Sequence, residues 1–189
     1  GGTTINSLMP FAYQIADLGR QWSVLVHSRM LTYAHILDLD TKFRALLSSL
    51  PIFLRPDPTL EQLPEVRQEQ AQRPYLAMHR LIVFEAVNQR LLVLHRDDMC
   101  RGHHDEKFAY STRVAVDAAR TILSCRQQID NVHPAVQKHA AFRHHLFQAA
   151  IVLSIHLLEL SHKAQGESQV AHQLRDDIAL IMNYLYGSN

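Results

Sequence analysis

The chain is poor in several things. Among its 189 residues are two cysteines, six glycines and one tryptophan, and its net charge is only +1. The cysteines, Cys100 and Cys125, form no CxxC pair and no multi-cysteine block, so neither a disulfide framework nor a thiolate cluster is available. A reducing compartment is the default. Scarce glycine goes with long helices and few tight turns. A charge near zero gives no broad basic surface to neutralise phosphates, so no direct contact with nucleic acid is expected. No segment reads as a ~20-residue apolar membrane span. The opening GGTTINSLM lacks a basic segment followed by an apolar run, so it does not read as a signal peptide. GxSxG, HExxH and a Gly-rich phosphate loop are all missing, which leaves nucleophilic catalysis and loop-based nucleotide binding without support. No cofactor is expected. No stretch alternates with period two, so no sheet is expected.

What is present is helical periodicity in a chain that is 47% apolar. The pattern predicts one all-α domain over residues 1–189, with about six long helices packed around a buried central helix at 73–96. That helix, RPYLAMHRLIVFEAVNQRLLVLHR, carries apolar residues on nearly every side, as a helix covered by several neighbours should. Pro74 suits its first turn. The first helix is expected from about Asn6 to Ser28, facing the core through Met9, Tyr13, Ala16, Arg20, Trp22 and Val26, with a kink or close packing at Gly19. A second runs from about Thr32 to Ser49 through Ile36, Leu39, Phe43 and Leu46, and Pro51 ends it. Residues 51–72 hold four of the seven prolines and read as an internal Pro-rich loop whose Ile52, Phe53 and Leu54 fold back on the core.

After a polar connection around Gly102, a helix over about Asp105–Ile129 shows a narrow stripe of Phe108, Ser111, Ala115, Ala118, Ala119 and Ile122. Asp130, Asn131 and Pro134 read as a break. The fifth helix spans about Pro134–Lys163, and its LFQAAIVLSIHLLEL belongs beside the central helix. AQGES, residues 164–168, is a turn. The last helix, about Gln169–Leu185, buries Val170, Leu174, Ile178, Ile181, Met182 and Leu185.

Thirteen histidines invite a search for metal ligands. One ExxH occurs, Glu159 to His162. A di-metal bundle needs two, with further carboxylates on facing helices, so no metal site is expected. Glu159 and His162 read as a surface pair. Adjacent His144 and His145 point in different directions. Polar residues inside the most apolar helices say more: Glu85 and Asn88 in the central one, Ser154 and His156 in the fifth. Buried without partners, each would cost ~1–3 kcal/mol, so each should be bonded. Two readings follow. They form an internal network that fixes helix register, or Glu85, Asn88 and His156 line a cavity that binds a small molecule.

The order of motifs carries a resemblance. LPIFLR at 50–55 is followed by a polar Pro-rich loop, then RLLVLHRDDM at 90–99, then FAYSTRVAVDAARTIL at 108–123, then FRHHLFQAAIVLSIHLL at 142–158. This order resembles the middle homology region of fungal binuclear zinc-cluster transcription factors. The matching positions are Leu50, Pro51, His95, Arg96, Ser111, Ala118, Ala119 and Arg120. Asp97 stands where that family usually has proline, and the six-cysteine zinc cluster is missing, so this chain is not the DNA-binding part. The resemblance implies an all-helical regulatory domain in the nucleus, with a possible small-molecule effector, and protein partners in the transcription machinery or self-association. It makes His95 and Arg96 structural, with Arg96 capping the end of the central helix. The alternative is a stand-alone small-molecule-binding protein, or a cofactor-independent enzyme using His and Tyr as acid–base groups in a buried pocket.

Overall fold

A computed structural model describes residues 8–57, 59–132, 140–163 and 168–187. They form seven α-helices: α1 (Met9–His27), α2 (Tyr33–Ser49), α3 (Pro64–Gln72), α4 (Tyr75–Gly102), α5 (Ala109–Val132), α6 (Ala140–His162) and α7 (Gln169–Tyr186). No strand occurs among the described residues, so the all-α expectation holds. The chain divides into two compact units, with the boundary inside α4 between Arg90 and Leu91.

In the first unit α1 packs on α2. Its inward face is Phe11, Ile15, Leu18, Trp22 and Leu25, a regular 3.6-residue repeat in which each residue is buried or half-buried. The expected face through Met9 and Tyr13 lies in the wrong register, and both residues are exposed. The expected start at Asn6 lies outside the described residues. Thr32, near the expected start, caps α2: its side chain accepts from the His35 N–H, and the His35 ring accepts from the Thr32 N–H. Ile36, Leu39, Phe43, Leu46 and Leu50 are buried.

The 51–72 segment is more regular than a loop. It holds 3-10 turns at Ile52–Leu54 and Leu60–Gln62 and the helix α3. Pro64 starts α3 where a missing N–H costs nothing, so here proline marks a beginning. Leu54 and Val66 anchor the segment in the core, while Ile52 stays exposed.

The central helix is covered as its pattern requires. From Leu76 to Met99 only Ile82, Arg96 and Asp97 are exposed. It runs six residues past the expected end at Arg96. Asp98 is buried and accepts a hydrogen bond from Arg101 at 2.7 Å, and Met99 is fully buried, so both favour another turn and a half of helix. Arg96 is therefore an exposed interior residue beside Asp97, 3.4 Å away, and not a helix cap.

In the second unit α5 packs on α6, and α6 on α7. The small-residue stripe of α5 is buried at every expected position. A 3-10 turn at Glu106–Phe108, capped by Asp105, leads into α5, which continues through Asp130 and Asn131 to Val132. Pro134 lies outside the described residues, as do residues 164–167 of the expected turn. α6 buries Leu146, Ala149, Val152 and Leu153 but exposes Phe147, Ile151, Ser154 and Leu158 along one stripe. Ser154 is thus not a buried polar group. Ser168 caps α7 through a bond from the Ala171 N–H, and the buried face is Ala171, Leu174, Ile181 and Leu185, with Val170 and Met182 outside it.

Candidate functional site

Two motif positions that stand 16 residues apart meet in the second unit. His95 Nδ1 and Ser111 Oγ are 2.9 Å apart, and both side chains are fully buried. The His95 ring also meets Tyr110 edge-on, with centroids 5.7 Å apart. A third motif residue, Arg120, donates from Nε to Asp177 Oδ2 of α7 at 2.9 Å. These contacts tie α4 to α5 and α5 to α7.

The α4–α5 corner is built for close approach. Thr112 Oγ1 donates to the Met99 carbonyl at 2.8 Å. The Arg101 guanidinium lies 3.6 Å from the Phe108 ring centre. Gly102 sits where a Cβ would strike Thr112 Oγ1 and the Phe108 carbonyl. Beside this corner lies a cleft of about 320 Å³ lined by Gly102, Thr112, Arg113, Val116, Asp117 and His156. One of the three candidate ligand residues, His156, is therefore on a cleft wall.

His156 Nδ1 is 3.3 Å from His103 Nε2. Burial, then His103, Arg120 and Lys163, push the His156 imidazole down to about 4, so it is neutral near pH 7. Burial also lowers His103, with Glu159 opposing and Lys163 and His104 adding to the effect. A neutral imidazole offers a hydrogen bond and not a charge. The charge on the cleft wall comes from Arg113 and Asp117, while Arg120 acts on His156 through its field, its Nη2 being buried without a hydrogen-bond partner among the described residues.

Glu85 and Asn88 lie one turn apart on α4 in the first unit, and both are buried. Asn88 Nδ2 donates to the Phe84 carbonyl of its own helix at 2.9 Å, a bond of the internal kind. His156 belongs to the second unit. Glu159 does not pair with His162: its carboxylate lies 3.4 Å from His104 Nε2. Among the described residues no three His, Cys, Asp or Glu are arranged to hold a metal ion, and no helix is long and apolar enough to cross a membrane. Sequence reasoning missed His103 and Arg120 as neighbours of His156. They stand 53 and 36 positions away, and no periodicity links them.

Comparison with known proteins adds the following. The chain is 26% identical over 131 residues to the probable transcription factor lepB of Aspergillus flavus, covering 67% of this chain and 23% of that protein. It is 27% identical over 146 residues to the agnestins biosynthesis cluster transcription factor AgnL11 of Paecilomyces divaricatus, covering 76% of this chain and 20% of that protein. The similarity is to fungal transcription factors. This agrees with the resemblance carried by the motif order. The chain spans between a fifth and a quarter of the length of these relatives. No family model matches it, and no solved structure gives a significant match.

Proposed function

We propose that this chain is the middle, regulatory region of a fungal zinc-cluster transcription factor and that it acts in the nucleus by sensing a small-molecule effector. The single observation that carries the reading is similarity to two named transcription factors over most of an all-helical chain. The cleft at the α4–α5 corner is the effector site of this reading, with His156 as hydrogen-bonding wall and Arg113 and Asp117 as its charged lining. Glu85 and Asn88 are the corresponding polar candidates of the first unit. The effector works by population shift: it binds one arrangement better than the other, and without that difference it moves nothing. Protein partners or a second copy of the chain then read the shifted state.

The test is a thermal-shift screen of the purified chain against a panel of metabolites and natural products. A ligand bound only by the folded state raises apparent stability by ~2.7 kcal/mol at a hundredfold excess over Kd. The reading predicts a saturable rise for at least one chemical class that disappears in His156→Leu. No rise across the panel, with His156→Leu neutral or stabilising, contradicts it.

A further inference from the structure

We propose that His103 and His156 form a proton-operated latch that fastens the turn after α4 to α6. The two rings come from different elements, with centroids 5.1 Å apart and planes tilted by 33°. A hydrogen bond between imidazole nitrogens needs one N–H and one bare nitrogen, so the latch closes only while the acceptor ring is unprotonated. Two further straps join the same turn to the end of α6. Lys163 donates to the His103 carbonyl, and His104 Nε2 lies 3.4 Å from Glu159. Three polar contacts thus hold the turn to α6, and the histidine pair is the one that protons on both rings break.

The charged groups around the pair come from every neighbouring element. Glu159 and Lys163 lie on and just after α6, and His104 on the turn. Arg113, Asp117 and Arg120 belong to α5, with Arg120 paired to Asp177 of α7. Glu159 favours a proton on His103, whereas Lys163 and His104 oppose it. Arg120, Lys163 and His103 oppose a proton on His156. When a second proton arrives from bulk water, N–H groups face each other across 3.3 Å with no acceptor between them. The pair's hydrogen bond is then lost, and the turn keeps only the Lys163 and Glu159 straps to α6. The two rings titrate as a coupled pair, not as separate sites. The latch needs no effector, so its test is independent of the functional proposal.

The experiment is an NMR titration of the isotopically labelled full chain from pH 8 to 3.5, following the histidine rings and the backbone amides. In the wild type both rings should titrate below 6.5 in linked steps, and the amides of residues 102–108 should shift with them. Gln at position 103 can accept a bond from protonated His156. His103→Gln should therefore keep the turn closed, erase the amide step and raise the His156 midpoint. Glu159→Gln should move the step to lower pH. The latch is refuted if each ring titrates singly near 6.5, if amides 102–108 do not follow the rings, or if the step survives in His103→Gln. It is refuted equally if the amides of α2 move in the same step, because the transition is then global unfolding.

Discussion

Ser111→Ala is the sharpest probe of how the second unit is held together. The change removes one hydroxyl from a fully buried site 2.9 Å from His95 Nδ1 and leaves no large cavity. What it removes is a hydrogen-bond partner from a buried imidazole. Leaving a buried polar atom short of such a partner costs ~1–3 kcal/mol, whereas the net gain from making the bond is only ~0.5–1.5 kcal/mol. The first figure applies, because the imidazole stays behind. At ~2–4 °C per kcal/mol for a chain of this size, the melting temperature should fall by ~2–12 °C. Urea unfolding should show a lower midpoint with an unchanged slope. His95→Phe keeps a ring against Tyr110 and removes the nitrogen. In a double-mutant cycle Ser111→Ala should cost little on that background, giving a coupling above ~0.5 kcal/mol. A loss below ~0.5 kcal/mol, the range of ordinary surface changes, or strict additivity with His95→Phe, refutes the reasoning.

The other predictions concern the two helical glycines and the histidine cleft. Gly102→Ala should destabilise by ~1–3 kcal/mol in urea unfolding, because the new methyl strikes a backbone carbonyl that cannot rotate away. Gly19→Ala should be neutral or stabilise by up to ~1 kcal/mol in the same assay, because its methyl would lie 3.4 Å from the movable Arg90 guanidinium while helix propensity improves. The folded-state pKa of His156 lies below its unfolded value, so the folded chain resists the proton. The stability tied to His156 should be whole above about pH 6.5 and drain away as the pH falls toward 4. Urea midpoints measured from pH 7.5 to 5 should fall in the wild type and fall less in His156→Gln; parallel slopes contradict the assignment.

Helix identity was legible because core faces repeat at a fixed spacing. The α5 stripe from Phe108 to Ile122 and the α2 face from Ile36 to Leu50 were both readable this way, and both are buried. Register failed where apolar residues lie on two faces. In α1, Met9 and Tyr13 compete with Phe11 and Ile15, and composition alone does not choose between them. Proline was misread in 51–72, since Pro64 opens a helix as readily as another proline closes one. The end of α4 was misplaced because Asp97 and Asp98 look like a loop, yet Asp98 is folded inward against Arg101. Within the candidate site, His156 was visible as a polar residue in an apolar helix. Its partners were not, because His103 and Arg120 reach it through tertiary packing. The motif residues His95, Ser111 and Arg120 were recognisable only by their order, and the structure supplies the reason: each is bonded to a neighbouring helix.

The most direct measurement places the chain between a heterologous DNA-binding domain and an activation domain in a fungal reporter strain. Each ligand that stabilises the purified chain is then added across a concentration series. Effector sensing predicts a saturable change in reporter output at concentrations matching the thermal-shift response, and its loss in His156→Leu at equal fusion-protein level. Constant output at every ligand concentration, with the fusion present and bound to its promoter, contradicts the claim that this region couples an effector to transcription.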